Sequence, residues 1–321
     1  MIRTSHGNRY PLILNPKARG ERGDAVRRFV MDHAGRFAIY ASNSGEEAEE
    51  LAAAFAEIDE PVVVAAGGDG TLNAVVKGLA GKKTALGILP TGTMNVFARE
   101  LGLPVDGLPF EQLKKAFEVI DKGEMVDVDL FEMNGAPFVQ MAGVGFDAQV
   151  IEETSWEAKK ALGPLAYLLS AVKVLGDKPP KMTVRFDEGN VAEGVAVLVG
   201  NGSLYGGQLR LFGKAKNSDE LLDVLVFKES GYKLVMDTVA GLARGGFDEK
   251  MGTVDYFQSS GLQVESEREV PVEVDGELWG KTEQVEFVNV PKKLQVLAPK
   301  DAGMPKWEEM LRALSPWNSN K

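Results

Sequence analysis

Apolar residues in the first third of the chain come in two textures. Residues 10–14 and 61–66 are short unbroken apolar runs ending in turn residues, as strands buried on both faces do. Residues 45–58 and 72–79 instead carry their apolar positions at helical spacing. Residues 85–89 read as a further strand. The turn Pro90-Thr91-Gly92 follows it, then a helix over 95–101 that Gly102 and Pro104 terminate, and another helix over 111–120. Strand and helix alternate, the order of an α/β lobe. From about Val126 the texture changes. β-Branched, alternating segments recur between Gly or Asn-Gly turns at 126–133, 138–142, 182–186, 195–199 and 222–227, and again at 261–266, 270–274, 284–290 and 294–297. Helices are expected at 155–175, 232–243 and 307–314. The pattern predicts one α/β lobe followed by one mainly β lobe, with the boundary near residue 125.

Composition narrows the chemistry. The chain has 321 residues, 44% hydrophobic and 26% charged, enough for two cored domains. Its 47 acidic against 36 basic residues give a formal charge of −11, opposite to the footprint of a protein that wraps a phosphate backbone, so nucleic acid is not expected as a partner. The absence of cysteine excludes disulfides, thiolate metal sites and cysteine nucleophiles. Only His6 and His33 supply imidazole, which points to a carboxylate for any general base and to a hard cation on oxygen ligands for any metal. The start lacks the apolar core of a secretory signal, and no apolar stretch approaches the ~20 residues needed to cross a bilayer, so a cytoplasmic location is expected.

The chemistry-bearing signal begins where the run 62–66 enters Gly67-Gly68-Asp69-Gly70-Thr71-Leu72-Asn73. Glycines at a strand-to-helix turn let the backbone approach a ligand, and exposed N–H groups at a helix start hold phosphate without a lysine. Asp69 is placed to orient magnesium or a hydroxyl, and Thr71 or Asn73 to donate to phosphate oxygens; the alternative is a plain change of direction with Thr71 as helix cap. No Gly-Lys-Ser/Thr follows and the G-x-G-x-x-G spacing is absent, so neither the standard P-loop nor the dinucleotide fingerprint applies.

The stretch 67–71 resembles the G-G-D-G-T motif shared by diacylglycerol kinases, sphingosine kinases and the more distant NAD kinases and phosphofructokinases. Three further blocks single out the diacylglycerol kinase family. Leu89-Pro90-Thr91-Gly92-Thr93-Met94-Asn95-Val96-Phe97-Ala98-Arg99 is similar to L-P-x-G-T-x-N-D-F-A-R, with Val96 where the family often has Asp. Asn15-Pro16-Lys17-Ala18-Arg19-Gly20 is similar to N-P-x-S-G, with Ala18 for Ser, and Ser42 or Asn43 stands where the family has a threonine. Gly200-Asn201-Gly202-Ser203-Leu204-Tyr205-Gly206-Gly207 is similar to G-N-G-x-x-Y-G-G. The resemblance implies a Rossmann-like, NAD kinase/phosphofructokinase-like three-layer lobe with a C-terminal antiparallel β-sandwich. On that division residues 1–125, completed by about 291–321, bind nucleotide, and 126–290 bind lipid.

It also implies roles. ATP would lie along Asn15, Gly67, Gly68, Asp69, Gly70, Thr71, Asn73 and Thr93, with Mg2+ near Asp69. Lys214 to Asp223 is similar to A-x-x-D-D-G-x-L-D, a loop that carries a structural magnesium in bacterial relatives; the matching ligands are Lys216 and Leu221 through carbonyls and Asp219 through its carboxylate, with Ser218 and Glu220 departing from the pattern. Asp275-Gly276-Glu277 reads locally as a tight hairpin turn. The family has D-G-E here, and the resemblance makes Glu277 the base on the acceptor hydroxyl, with Asp275 assisting through magnesium. The expected activity is transfer of the γ-phosphate of ATP to a lipid hydroxyl, as of a diacylglycerol or sphingoid base. The rivals are a soluble-substrate enzyme of the NAD kinase kind and a non-catalytic lipid or nucleotide sensor. Trp156, Leu162, Leu165, Tyr167, Leu168 and Leu169, with Lys159, Lys160 and Lys173 as anchors, would form an apolar slot or a peripheral, transient membrane contact. A homodimer is left open.

Overall fold

The computed structural model describes residues 4–7, 9–16, 20–145 and 179–300. The expected helices at 155–175 and 307–314, the apolar slot on the first of them, and Lys17, Ala18 and Arg19 lie outside the described residues.

The first lobe runs β1 (Tyr10–Leu14), α1 (Gly20–Asp32), β2 (Phe37–Ala41), α2 (Gly45–Glu57), β3 (Val62–Gly67), α3 (Asp69–Leu79), β4 (Ala85–Pro90), α4 (Val96–Glu100) and α5 (Pro109–Lys122). Its strands are parallel in the order β2-β1-β3-β4. Both β3 and β4 are buried at every residue, which is why they read as unbroken apolar runs. One core cluster, around Val63, Val75, Ile88 and Phe97, lies on one side of this sheet. Another, around Leu12, Phe29, Leu89 and Phe117, lies on the other.

The second lobe is antiparallel. It comprises β5 (Met125–Met133), β6 (Ala136–Phe138), β7 (Met141–Val144), β8 (Met182–Phe186), β9 (Val191–Gly194), β10 (Ala196–Gly200), β11 (Leu204–Tyr205), β12 (Leu209–Arg210), β13 (Leu222–Phe227), α6 (Tyr232–Ala243), β14 (Val254–Ser259), β15 (Leu262–Val274) and β16 (Glu277–Leu297). The order β14-β13-β10-β7-β15-β16 continues into β4, because Val296 of β16 pairs with Leu86 in parallel. The strand that ends the described chain thus ties the antiparallel sandwich to the parallel sheet.

Several boundaries differ from the sequence expectation, each for a physical reason. α3 begins at Asp69 rather than at residue 72, so its first turn is made from the glycine-rich loop itself. Residues 138–142 do not form one strand: the Asp275 carboxylate accepts the N–H groups of Val139, Gln140 and Met141 at 2.9–3.2 Å and breaks the run into β6 and β7. The four late segments at 261–297 are two long strands. Register shifts between Glu265 and Val270, and between Val290 and Leu294, absorb the charged and Pro-Lys-Lys interruptions without ending the ladders. The unexpected β2 is an edge strand with a mixed burial pattern, and α1 carries many charges, so neither shows a strong apolar period.

Candidate active site

Strands β1, β3 and β4 are adjacent and parallel, so their carboxyl ends bring Asn15, the 67–71 loop and the 91–95 loop side by side. The chain passes from β1 to β2 on one side and returns to β3 on the other. Ligands of open α/β sheets bind at such a reversal of strand order.

The two loops touch through glycines. A Cβ at Gly92 would stand 2.6 Å from the Gly68 Cα and 2.7 Å from the Asn95 Oδ1, so a side chain there has no room. Asn95 accepts from the Gly92 N–H at 2.9 Å and donates to its carbonyl at 2.7 Å, and with φ 48° it turns the chain into α4. Its role is therefore to shape the loop. Arg22 of α1 donates to the same carbonyl. The exposed Thr93 stands at the tip of this loop.

α3 starts with Gly68 at its cap position and no side-chain cap, so Thr71 does not act as one. The first N–H groups of a helix lack intrahelical partners, which equips this terminus for an anion. Asp69 turns toward α4, where the Val96 N–H donates to its Oδ1 at 2.7 Å. Burial raises the Asp69 carboxyl above its ordinary value, against the pull of the Val96, Phe97 and Asn95 amides. A partly desolvated carboxylate beside a candidate phosphate loop suits a hard cation, so the residues here fit magnesium.

The second lobe closes the crevice with the β15–β16 hairpin. Asp275 and Gly276 form its two-residue turn, both at positive φ, 49° and 84°. Asn73 donates its amide to the Asp275 carbonyl at 3.1 Å, fastening α3 to the turn. Glu277 follows, 59% exposed, with Oε1 3.7 Å from the Cβ position of Gly70 and Oε2 3.5 Å from Lys77 Nζ. Glu277 therefore stands beside the loop that contains Asp69. Asp275 does not reach outward: its carboxylate is taken up by the three amides that separate β6 from β7, and burial pushes it up to about 6 against those donors. Its visible work is to set the hairpin.

The 200–207 block serves the joint between lobes. Asn201, fully buried, donates to the carbonyls of Asp129 and Val139, and Glu100 of α4 accepts from the Ser203 N–H and Oγ and from the Leu204 N–H at 2.9–3.0 Å. Ser42 is buried with its hydroxyl on the Ser44 carbonyl, while Asn43, just before α2, donates its N–H to the Glu47 carboxylate of that helix.

The 216–221 loop lies against β5 and β16. Asp219 accepts from the Leu221 N–H at 3.2 Å, and its carboxyl is raised by burial and by the nearby Asp129 charge. Glu220 adopts φ 64°, the left-handed conformation that glycine provides in the family motif, so the turn survives the substitution. One carboxylate and two loop carbonyls fit a hard cation in chemistry, although Lys293 already bridges Asp129 at 2.9 Å and Glu220 at 3.0 Å. Among the described residues no group of three or more His, Cys, Asp or Glu side chains is arranged to hold a metal.

Sequence reasoning missed Lys77, Arg22 and Glu100. Lys77 had a usable signal, since it lies four residues after Asn73 on the same face of α3. The other two had none, because their partners are backbone groups far along the chain.

The profile of the diacylglycerol kinase catalytic domain matches residues 9–133, and that of the YegS C-terminal NAD kinase beta sandwich-like domain matches 140–298. Among curated proteins, a diacylglycerol kinase of Staphylococcus saprophyticus is 32% identical over 82% of this chain and 85% of its own length. A diacylglycerol kinase of Bacillus anthracis has a similar structure, with TM-score 0.70 and 23% identity over 92% of this chain and 98% of that one. An NAD kinase from Archaeoglobus fulgidus, solved with ATP, shares the fold at TM-score 0.53 and 11% identity, covering 95% of this chain and 100% of that one.

Proposed function

Because the chain belongs to the diacylglycerol kinase family, we propose that it transfers the γ-phosphoryl group of ATP to the hydroxyl of a membrane lipid, with the crevice between the 67–71 loop and the β15–β16 hairpin as its active site. The observation that carries this reading is the approach of Glu277 to Gly70, which sets a carboxylate of one lobe beside the phosphate-type loop of the other. The N–H groups at the start of α3, with Asn15 and Thr93, hold the nucleotide phosphates. Magnesium supplied at Asp69 would neutralise charge on the phosphoryl oxygens.

An alcohol is a poor nucleophile. The Glu277 carboxylate takes the proton of the acceptor hydroxyl as its oxygen attacks the γ-phosphorus, and the bond to the leaving diphosphate oxygen breaks. Lys77, 3.5 Å from Glu277, is a cation at the same mouth, placed to meet phosphoryl charge. A second magnesium, held by the carbonyls of Lys216 and Leu221 and the Asp219 carboxylate, is a structural element of this reading. No described helix is long and apolar enough to cross a membrane; in this reading the lipid is reached by peripheral, transient contact from the cytoplasm.

The test is incubation of the purified chain with γ-labelled ATP, magnesium, a panel of lipid alcohols and NAD, followed by extraction into organic solvent. Label in the organic phase supports the proposal. Label in NADP would assign the chain to soluble-substrate kinases, and no transfer at all would make it a sensor.

A further inference from the structure

The helix α6 keeps an apolar face in water. One side is built into the sandwich: Leu234, Thr238 and Gly241 are buried, and Val235 and Leu242 pack half-buried against the cluster around Leu225, Phe227 and Phe247. The opposite side carries Tyr232, Met236 and Val239, which are 78%, 49% and 38% exposed, with the exposed Ala243 continuing the stripe. Positions i, i+4, i+7 and i+11 of a helix lie in one row along its length. The solvent side of a helix on a soluble protein is ordinarily polar, so a continuous apolar row there marks a contact surface.

The charges on α6 are sorted as well. Lys233 and Arg244 flank the row, both exposed. The acidic residue of the helix, Asp237, is half-buried and turned inward, where its Oδ2 accepts from the Thr253 N–H and hydroxyl at 2.8 Å each. The outward face therefore presents apolar and cationic side chains, in a chain whose formal charge is −11. Lys233 meets Glu229 at 3.5 Å, but both are largely exposed, and such surface pairs hold their partners weakly. A two-fold antiparallel contact between copies through this row would set Lys233 and Arg244 on the same edge of a closed seam, like charge against like. An anionic lipid layer instead takes the ring and methyl groups into its acyl boundary and sets the ammonium and guanidinium against phosphates.

We infer that α6 is the surface by which the protein rests on an anionic membrane. This rests on the lipid-kinase reading and deepens it, by naming the face through which the membrane is met. The core beneath α6 also contains Met141, whose carbonyl accepts from the Asp275 N–H at 2.8 Å, so the helix and the β15–β16 hairpin are anchored in one packed unit.

The test is cosedimentation of the full chain with vesicles of phosphatidylcholine alone and of phosphatidylcholine mixed with phosphatidylglycerol. The wild type is expected to partition onto the mixed vesicles, and less so as salt is raised. Met236→Glu/Val239→Glu lowers the partition coefficient about tenfold or more, and Lys233→Glu/Arg244→Glu removes the preference for mixed over neutral vesicles. All four residues are exposed, and thermal transitions coincident with the wild type check that both variants fold. In the labelled-ATP assay both variants keep transfer to a short-chain acceptor dissolved in water, and lose transfer to a long-chain acceptor in vesicles in proportion to binding. A wild type that leaves the vesicles unbound, or variants that bind as it does, overturns the inference. Self-association of the wild type without lipid, seen by light scattering and abolished in Met236→Glu/Val239→Glu, gives the face to a second copy and overturns it too. Vesicle binding through α6 with no label in any lipid keeps this surface and overturns the lipid-kinase reading alone.

Discussion

Glu277 and Glu273 sit four residues apart in one hairpin, yet their environments differ in kind. Glu277 is exposed, with Lys77 Nζ 3.5 Å from its carboxylate, so Glu277→Gln should remove proton acceptance with little effect on the fold. Turnover is expected to fall by about 100-fold or more with the melting temperature shifted by only about 2 °C, read by the labelled-ATP assay and by thermal denaturation. Glu273 is buried, with its carboxyl raised from 4.5 in the unfolded chain to about 7 in the folded one. The folded state therefore binds this proton more tightly. The contribution of Glu273 to stability is greatest at low pH and is lost as pH rises from about 4.5 through about 7. Glu273→Gln should thus be more stable than wild type at pH 8.5, by roughly 1–3 kcal/mol, with the gap closing below pH 5. Urea denaturation at the two pH values measures it, and an equal gap at both would show that the carboxyl is not desolvated. The glycine pair makes a third test. Gly92→Ala drives a methyl to within 3 Å of the Gly68 backbone and Asn95, so the KM for ATP should rise by about tenfold or more.

At the level of elements, α4 is the hinge pin between lobes. Its five residues are too few to be stable alone, and both ends are held by tertiary contacts: Asp69 on the first amides, Glu100 on the Ser203 and Leu204 amides. Glu100→Ala leaves two N–H groups without their acceptor and should cost about 2–4 kcal/mol, measured by urea denaturation. The dense resemblance of residues 89–99 and 200–207 to family motifs acquires a physical meaning here, since the two blocks meet. Of the candidate nucleotide residues, Gly67 to Thr71 and Thr93 lie where the chain leaves β3 and β4, whereas Asn73 spends its side chain on the Asp275 turn. No local rule forecasts that. A helix-facing amide at residue 73 and a turn carbonyl at 275 have no signature in either segment alone.

Across the whole molecule, β16 is the member that makes two lobes one unit. Phe287 belongs to the sandwich core and Val296 to the core of the parallel sheet, within a single 21-residue strand. Unfolding of the described lobes should therefore be one cooperative transition. Tryptophan fluorescence and far-UV circular dichroism should give coincident curves in urea, and two separate midpoints would show that the β16 link is weak. The network at Lys293 belongs to the same scale, because this residue of β16 joins Asp129 of β5 to Glu220 of the 216–221 loop.

Sequence alone determined the order of α/β and β lobes, the strands that are buried on both faces, the glycine-rich turn and the D-G-E hairpin, because each rests on spacing within ten or so residues. Only the tertiary structure decided that Asp275 faces inward, that Glu277 comes to the loop at Gly70, that β15 and β16 run unbroken through charged and Pro-Lys-Lys interruptions, and that Glu273 is buried. These depend on which distant backbone groups and glycines happen to lie opposite, and burial and pairing across two hundred residues are properties of the packed whole rather than of any local run.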